Sequence, residues 1–172
     1  SYNVSYIKGY LPDIPVKLVN RVIRDQGLMV LPGNPKNIRK IEDLVRDDVV
    51  FINRQGGSGT RILLDFKLAE SGIDASRITG YENDEFTHMS TAVAVLSGRA
   101  DVGLGIYAAA RALGLDFVPV VTEQYDLVIP EIYYDSTNIQ ILLETIKTEE
   151  FKKQVESLGG YATHKTGELI EV

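Results

Sequence analysis

The sequence predicts an α/β fold with a largely parallel sheet. Short apolar segments that suit buried strands alternate along the chain with segments of helical periodicity. A glycine follows most of the helical segments, as expected where a helix ends. Apolar residues make up 44% and charged residues 24% of the 172 residues. These values are typical of a globular protein with one good core or two small lobes.

The predicted elements follow one another with short connections. Pro12 and Pro15 interrupt residues 1–20, so no long helix is expected there. The predicted strands are residues 27–31, 49–52, 78–81, 102–106, 117–121 and 127–129. Pro119 favours an edge position or a strand end for the fifth of them. The predicted helices are residues 38–45, 60–71, 90–97, 107–113, 138–147 and 149–158. The polar residues 83–85 are predicted to form a loop.

Charge and composition restrict the classes of function. The net charge of -6 argues against nucleic acid or an anionic membrane as a partner. The absence of cysteine excludes disulfides, thiolate metal sites and thiol nucleophiles, and it fits a cytoplasmic protein. No apolar run approaches the roughly 20 residues that span a bilayer, and residues 1–4 lack the pattern of a signal peptide. We therefore expect a cytoplasmic location, with no membrane contact and no direct nucleic-acid contact.

The most informative segment is NRQGGSGTR, residues 53–61. It joins a predicted buried strand to a predicted helix, so a glycine-rich turn meets the unpaired N–H groups of a helix N-terminus. Two arginines and two hydroxyls add donors, and the segment contains no carboxylate. These features indicate an anion-binding loop, whose candidate ligand-binding residues are Arg54, Gly57, Ser58, Gly59, Thr60 and Arg61.

A purely structural interpretation of this loop is also open. The loop lacks the lysine of a P-loop and the spacing of a dinucleotide fingerprint. A tight strand-to-helix turn capped by Ser58 or Thr60 would require the same glycines. Such a turn requires neither Arg54 nor Arg61, and this favours the anion-binding interpretation.

Two residues outside the loop are candidates for the same site. Tyr107 follows the strand at 102–106, and ligands of open α/β sheets bind at the carboxyl ends of strands. His88 precedes the helix at 90–97, where it would be able to donate to an anion. Each also has a structural alternative, as a side chain packed or capping at a helix start. No nucleophile–base pair is evident, so we predict no catalytic residue, no metal site and no enzymatic activity.

Several segments match a known family in order and spacing, namely residues 26–28, 33–35, 43–44, 51–61, 63–65, 80–81, 88, 97–103, 114–119 and 123–127. On these segments the chain resembles the periplasmic-binding-protein superfamily of type II topology. The closest resemblance is to an intracellular branch attached to molybdopterin biosynthesis proteins and to helix-turn-helix regulators. The resemblance covers about residues 20–160.

The resemblance implies two α/β lobes joined by crossover strands, with the ligand in the cleft between them. Residues 1–34 and 121–172 would form a partial lobe with the crossover strands, and residues 35–120 a complete lobe. The opening βα units of the family are missing from this sequence. The N-terminal lobe is therefore expected to be incomplete, in a fragment of a longer protein or a truncated variant. Hinge closure would accompany binding, which would be weak unless a partner supplies the missing half.

The resemblance also suggests a class of ligand. Phosphate-binding members have an arginine, three residues and then Ser-Gly-Thr, and Arg54 with residues 58–60 matches that spacing. Those members typically have an aspartate, which accepts the proton of hydrogen phosphate, where this chain has Gly56. A site with donors alone favours a deprotonated dianion such as molybdate, tungstate or sulfate. Molybdate-binding members resemble this chain in a tyrosine at the position of Tyr107.

The sequence therefore predicts a domain that binds or senses a tetrahedral oxyanion and that needs no cofactor beyond such an anion. The expected partners are the small anionic ligand and a fused or separate regulator or molybdopterin biosynthesis domain. A homo-oligomer is compatible with the sequence. Two alternatives stay open: an enzyme accessory domain that binds molybdopterin or another phosphorylated small molecule, and a structural lobe with a vestigial loop.

Overall fold

A computed structural model describes residues 2–171. Its strands are β1 (Val16–Val30), β2 (Phe51–Arg54), β3 (Asp84–Glu85), β4 (Val102–Ile106), β5 (Asp116–Pro130), β6 (Tyr161–Ala162) and β7 (Leu169–Ile170). Its α-helices are α1 (Tyr2–Tyr10), α2 (Gly59–Glu70), α3 (His88–Leu96), α4 (Tyr107–Ala112), α5 (Glu131–Tyr134), α6 (Thr137–Lys147) and α7 (Glu149–Ser157). Two 3-10 helices lie at Ile41–Val45 and Ala75–Arg77. Of the helices within residues 2–171, none is long and apolar enough to cross a membrane.

The strands follow the order β3-β2-β4-β1-β5 in one sheet, and β6 and β7 also pair with β1. Strand β2 is parallel to both β3 and β4. Strand β1 is antiparallel to β4, β6 and β7. Because β5 ends the series, Pro119 lies at an edge, where its missing N–H is tolerated. The predicted α/β class with a parallel central part and flanking helices is confirmed.

The chain forms two compact units. Unit 1 contains the residues up to Arg24 and those from Thr122 onward, and unit 2 contains Asp25–Val121. The chain passes from one unit to the other within β1 and again within β5. The lobe boundaries that the resemblance implies stay a prediction.

Unit 2 has apolar clusters made by alternate residues of its strands. Leu28 of β1 and Phe51 of β2 belong to one cluster, which includes the buried leucines of α2. Their neighbours Met29 and Ile52 belong to the other, which includes alanines of α3 and α4. Successive strand residues point to opposite faces of a sheet, so helices cover both faces. This arrangement explains why the strands of unit 2 are apolar without alternation. Unit 1 has its own cluster, centred on Val19, Ile129, Leu143 and Ile146.

The predicted strand at 78–81 is wrong. Ile78 fills the core below a turn, and Gly80 has a φ of +90° at that turn. The ladder beside β2 begins only at Asp84–Glu85, which the sequence analysis assigned to a loop. Apolar character here reflects burial below a turn rather than strand pairing.

Other elements also differ in extent from the prediction. Strand β2 covers Phe51–Arg54 rather than residues 49–52. The helix expected at 38–45 is a 3-10 helix at Ile41–Val45, because the Asn34 side chain holds both backbone groups of Ile38 in a turn. Strand β1 begins at Val16 rather than at residue 27. The two strands expected at 117–121 and 127–129 form the single strand β5. Polar residues between the apolar parts of β1 and β5 hide this continuity in the sequence.

Candidate functional site

The glycine-rich loop connects the carboxyl end of β2 to the first turn of α2. Ser58 is the N-cap residue, and its Oγ accepts a hydrogen bond of 3.1 Å from the N–H of Arg61. The two amides before it in the first turn, those of Gly59 and Thr60, have no acceptor within the helix. Gly57 has a φ of +83°, a conformation that favours glycine. Gly56, Gly57 and Gly59 are exposed, so the turn presents backbone donors to solvent.

The Ser58 cap leads to a testable prediction. Ser58→Ala removes the acceptor for the Arg61 N–H and is expected to lower the free energy of unfolding by about 1 kcal/mol, whereas Ser58→Gly costs only a few tenths. Urea denaturation of both variants measures the difference. Equal losses would show that the observed cap does not stabilise α2.

Arg54 lies at the end of β2 with only 8% of its surface exposed. Its guanidinium donates to the carbonyl oxygens of Glu85 and Phe86, at 3.3 and 3.1 Å, and to Oε1 of Gln55 at 3.2 Å. These bonds hold residues 85–86 against the loop. The structure thus gives this predicted ligand donor an internal positioning role, and its charge lies at the base of the loop.

His88 is brought next to Arg54. Nη1 of Arg54 lies 3.0 Å from Nδ1 of His88. Because arginine is only a donor, a hydrogen bond between these atoms has Nδ1 as its acceptor. A Cβ atom added to Gly105 would lie 3.7 Å from the same Nδ1, so His88 is also close to β4. The first turn of α3 therefore meets the carboxyl ends of β2 and β4.

Arg61 packs over an aromatic ring. Its guanidinium lies 4.2 Å from the centroid of Tyr81, and its Nη1 donates to the carbonyl oxygen of Arg54 at 3.3 Å. The Tyr81 hydroxyl donates to Asp65 at 2.5 Å. Burial raises the pKa of Tyr81, the bond to Asp65 raises it further, and Arg61 opposes the rise. Within residues 2–171, Arg61 forms no ion pair with a carboxylate.

Thr60 connects the loop to a residue that the sequence analysis did not propose for the site. Its hydroxyl donates a buried hydrogen bond of 2.7 Å to Oε1 of Gln26 on β1. Gln26 pairs with Ile106 at the end of β4, and Tyr107 follows. Gln26 therefore contacts the first turn of α2 through its side chain, and its backbone lies opposite the residue that precedes α4. The available sequence signals were an amide residue directly before the predicted strand 27–31 and the place of residues 26–28 among the segments that match the family.

Tyr107 begins α4 and is 37% exposed. Its ring packs edge-on against Phe117, with centroids 5.2 Å apart. This contact provides the structural role that the sequence analysis kept open, and a ligand role for the hydroxyl stays a prediction.

The three glycines of the loop are exposed to solvent. Two cavities, of about 370 and 120 Å³, are lined by residues of unit 1 alone. Among the described residues, no group of three or more histidine, aspartate or glutamate side chains is placed to hold a metal ion. The chemistry that the site presents is hydrogen-bond donation from amides and hydroxyls beside two arginines.

Known proteins resemble the chain in sequence and in fold. YvgK of Bacillus subtilis strain 168, described as uncharacterized, is 39% identical over 169 residues; these cover 98% of this chain but only 54% of YvgK. The chain thus spans about half the length of that relative.

Among solved structures, PEB3 with bound L-phospholactate, from Campylobacter jejuni, has a TM-score of 0.59 at 16% identity, over 86% of this chain and 69% of PEB3. The substrate-binding domain assigned to a molybdenum ABC transporter of Clostridium difficile has a TM-score of 0.58 at 16% identity, over 93% of this chain and 72% of that domain.

The family match agrees with these likenesses. Residues 1–147 match the PBP superfamily domain. The parallel core of β2, β3 and β4, with helices on both faces, is the fold that the structural neighbours share. The chain therefore belongs to the PBP superfamily, the periplasmic-binding-protein-like domains.

Proposed function

We propose that this protein is a non-enzymatic binding or sensing domain for a small tetrahedral oxyanion, such as molybdate, tungstate or sulfate. The observation that carries the proposal is the carboxylate-free turn at residues 55–59, whose glycines are exposed and which presents amides at the N-terminus of α2. Arg54, Arg61 and His88 lie around its base. We further propose that the domain serves a larger cytoplasmic protein concerned with the molybdenum cofactor or with regulation.

The donor set favours a fully deprotonated dianion. Amide N–H groups and guanidinium groups donate and do not accept, so the hydrogen of a protonated oxyanion would find no acceptor among them. Where the bound anion excludes water, an unpaired polar hydrogen costs about 1–3 kcal/mol, which corresponds to a preference of roughly fivefold to 150-fold. The N-terminus of α2 adds about 0.3–2 kcal/mol for a negative ligand.

The affinity from this surface alone is expected to be modest. A hydrogen bond to a charged group contributes roughly 1.5–3 kcal/mol net, whereas micromolar binding requires about 8 kcal/mol. Three or four donors, less the cost of immobilising the ligand, reach the millimolar range. Tighter binding would require further donors.

The similar proteins support the proposal in two ways. The Clostridium difficile domain is assigned to molybdenum transport, which fits an oxyanion as ligand. YvgK is nearly twice as long as the segment that it shares with this chain, which fits a binding domain within a larger protein.

Calorimetry on the full-length protein tests the proposal. Molybdate, tungstate, sulfate and phosphate are titrated in turn at high protein concentration. We expect molybdate, tungstate or sulfate to bind more tightly than phosphate. Arg54→Ala is expected to reduce binding at least tenfold, and Ser58→Ala less than that. Heat from none of the four anions, or unchanged affinity in both variants, would contradict the proposal.

A phosphorylated small molecule is the second candidate ligand. PEB3 binds L-phospholactate, and the exposed turn at residues 56–59 leaves space for a substituent on the anion. In the same calorimetric series L-phospholactate serves as the probe. Tighter binding of this ester than of every inorganic dianion would favour the second candidate, an accessory domain for phosphorylated compounds.

A further inference from the structure

Gln26 is a fully buried amide with an unsatisfied donor. Its exposed fraction is 0%, and its Nε2 has no hydrogen-bond partner among residues 2–171. Buried side-chain nitrogens are rarely left without an acceptor in native proteins, and each exception requires an explanation. The Thr60 hydroxyl contacts the other atom of the amide, Oε1, so one polar atom of this side chain is without a partner in either orientation of the amide.

The position of this amide connects it to the anion-binding loop. Gln26 contacts Thr60, the second residue of α2, through the 2.7 Å hydrogen bond to Oε1. The N–H of Thr60 is one of the two first-turn amides that lack an acceptor within the helix. On the other side, Gln26 pairs with Ile106, the residue before Tyr107. Gln26 thus contacts one of the two segments that were predicted to bind one ligand, and it pairs with the residue that precedes the other.

The hydrogen bond from Thr60 also determines which hydrogen bonds the Gln26 side chain can still form. Oε1 is occupied as an acceptor, so the remaining capacity of the side chain is that of the two Nε2 hydrogens. A neutral amide that only donates complements an oxygen atom without a proton. Because Nε2 does not accept hydrogen bonds, it would give no partner to the hydroxyl hydrogen of a protonated anion.

We propose that Gln26 is a further ligand-binding residue of this site, whose side-chain amide donates to an oxygen atom of the bound oxyanion. The inference rests on the proposed function and adds a donor from β1 to those of α2. It makes Gln26 a determinant of specificity, because Gln26→Glu would remove the Nε2 donor and put a carboxyl group of the same shape in its place. Thr60 is still able to donate to that carboxyl group, so the variant retains the internal hydrogen bond.

Two measurements on the full-length protein test the inference. The Nε2 hydrogens of Gln26 are assigned in ¹⁵N-labelled protein by their disappearance in Gln26→Leu, and are then followed during titration with molybdate, sulfate and phosphate. We expect them to shift with the anion that binds most tightly. Calorimetry of Gln26→Glu should show at least a tenfold loss for molybdate and sulfate, with a smaller loss for hydrogen phosphate. Gln154→Glu, the same change at an exposed position of α7, is the matched control and should change affinity less than twofold.

The outcomes separate the inference from the proposed function. If the wild-type protein binds an anion but the Gln26 hydrogens do not shift, or if the folded Gln26→Glu protein binds molybdate within twofold of wild type, the inference is wrong and the proposed function stands. If the wild-type protein binds none of the anions, both are wrong. If circular dichroism shows that Gln26→Glu does not fold, the test is the chemical shift of the Gln26 Nε2 hydrogens in the wild-type titration. A shift supports the inference, and no shift contradicts it.

Discussion

Gly80→Ala is expected to lower the free energy of unfolding by about 4 kcal/mol. Gly80 has a φ of +90°, and an added Cβ atom would lie 2.1 Å from the carbonyl oxygen of Phe51. The left-handed backbone costs an alanine about 1–2 kcal/mol, and forced repacking costs about 1–3 kcal/mol or more. The clash is with the backbone of β2, which cannot rotate away as a side chain would. Chemical denaturation with circular dichroism measures the loss.

Gly72→Ala is the matched control for this prediction. Gly72 also has a positive φ, +66°, but an added Cβ would meet no atom within 4 Å. It therefore isolates the cost of the backbone conformation, about 1–2 kcal/mol. Equal losses in the two variants would show that residue 80 does not pack against β2 as described.

Gly56→Asp is expected to weaken the binding of molybdate and sulfate by roughly a hundredfold, or about 3 kcal/mol. A Cβ atom at Gly56 meets nothing within 4 Å, and its φ lies outside the left-handed region, so the substitution causes no strain. The new carboxylate repels a dianion beside the first turn of α2. It also accepts a hydrogen bond, so hydrogen phosphate should lose much less affinity than the other anions.

Gly56→Asn separates charge from size in this experiment. The asparagine has the shape of the aspartate without its charge, and it should retain molybdate binding within about fivefold. Calorimetry of both variants with molybdate, sulfate and phosphate gives the comparison. A parallel loss of all three anions in Gly56→Asp would contradict the view that proton acceptance decides between phosphate and the deprotonated dianions.

Local features were predictable where neighbouring residues in the chain determine the structure. The segment 49–61 forms a strand, a turn and a helix in the expected order, although the strand lies two residues later than predicted, because strand burial, glycine conformation and the Ser58 cap all act within a few residues. The helices α6 and α7 begin and end close to the predicted positions for the same reason. The candidate loop could therefore be recognised from its own sequence.

Features that depend on distant partners were not predictable. Ile78 has the composition of a strand residue, yet it lies in a turn over the core, and only Asp84–Glu85 pair with β2. Arg54 was proposed as a ligand donor, and the structure shows hydrogen bonds to backbone groups of Glu85 and Phe86, 31 and 32 residues away. No periodicity or local motif reports such contacts.

The sequence by itself determined the α/β class and the carboxylate-free turn before α2, because apolar patterning and glycine conformation are local properties of the chain. Only the tertiary structure decided which donors are already occupied within the protein and which residue joins the site from another strand. Gln26 shows the difference most clearly. Its hydrogen bond with Thr60 spans 34 residues, and it forms only because the pairing of β1 with β4 brings the amide to the first turn of α2.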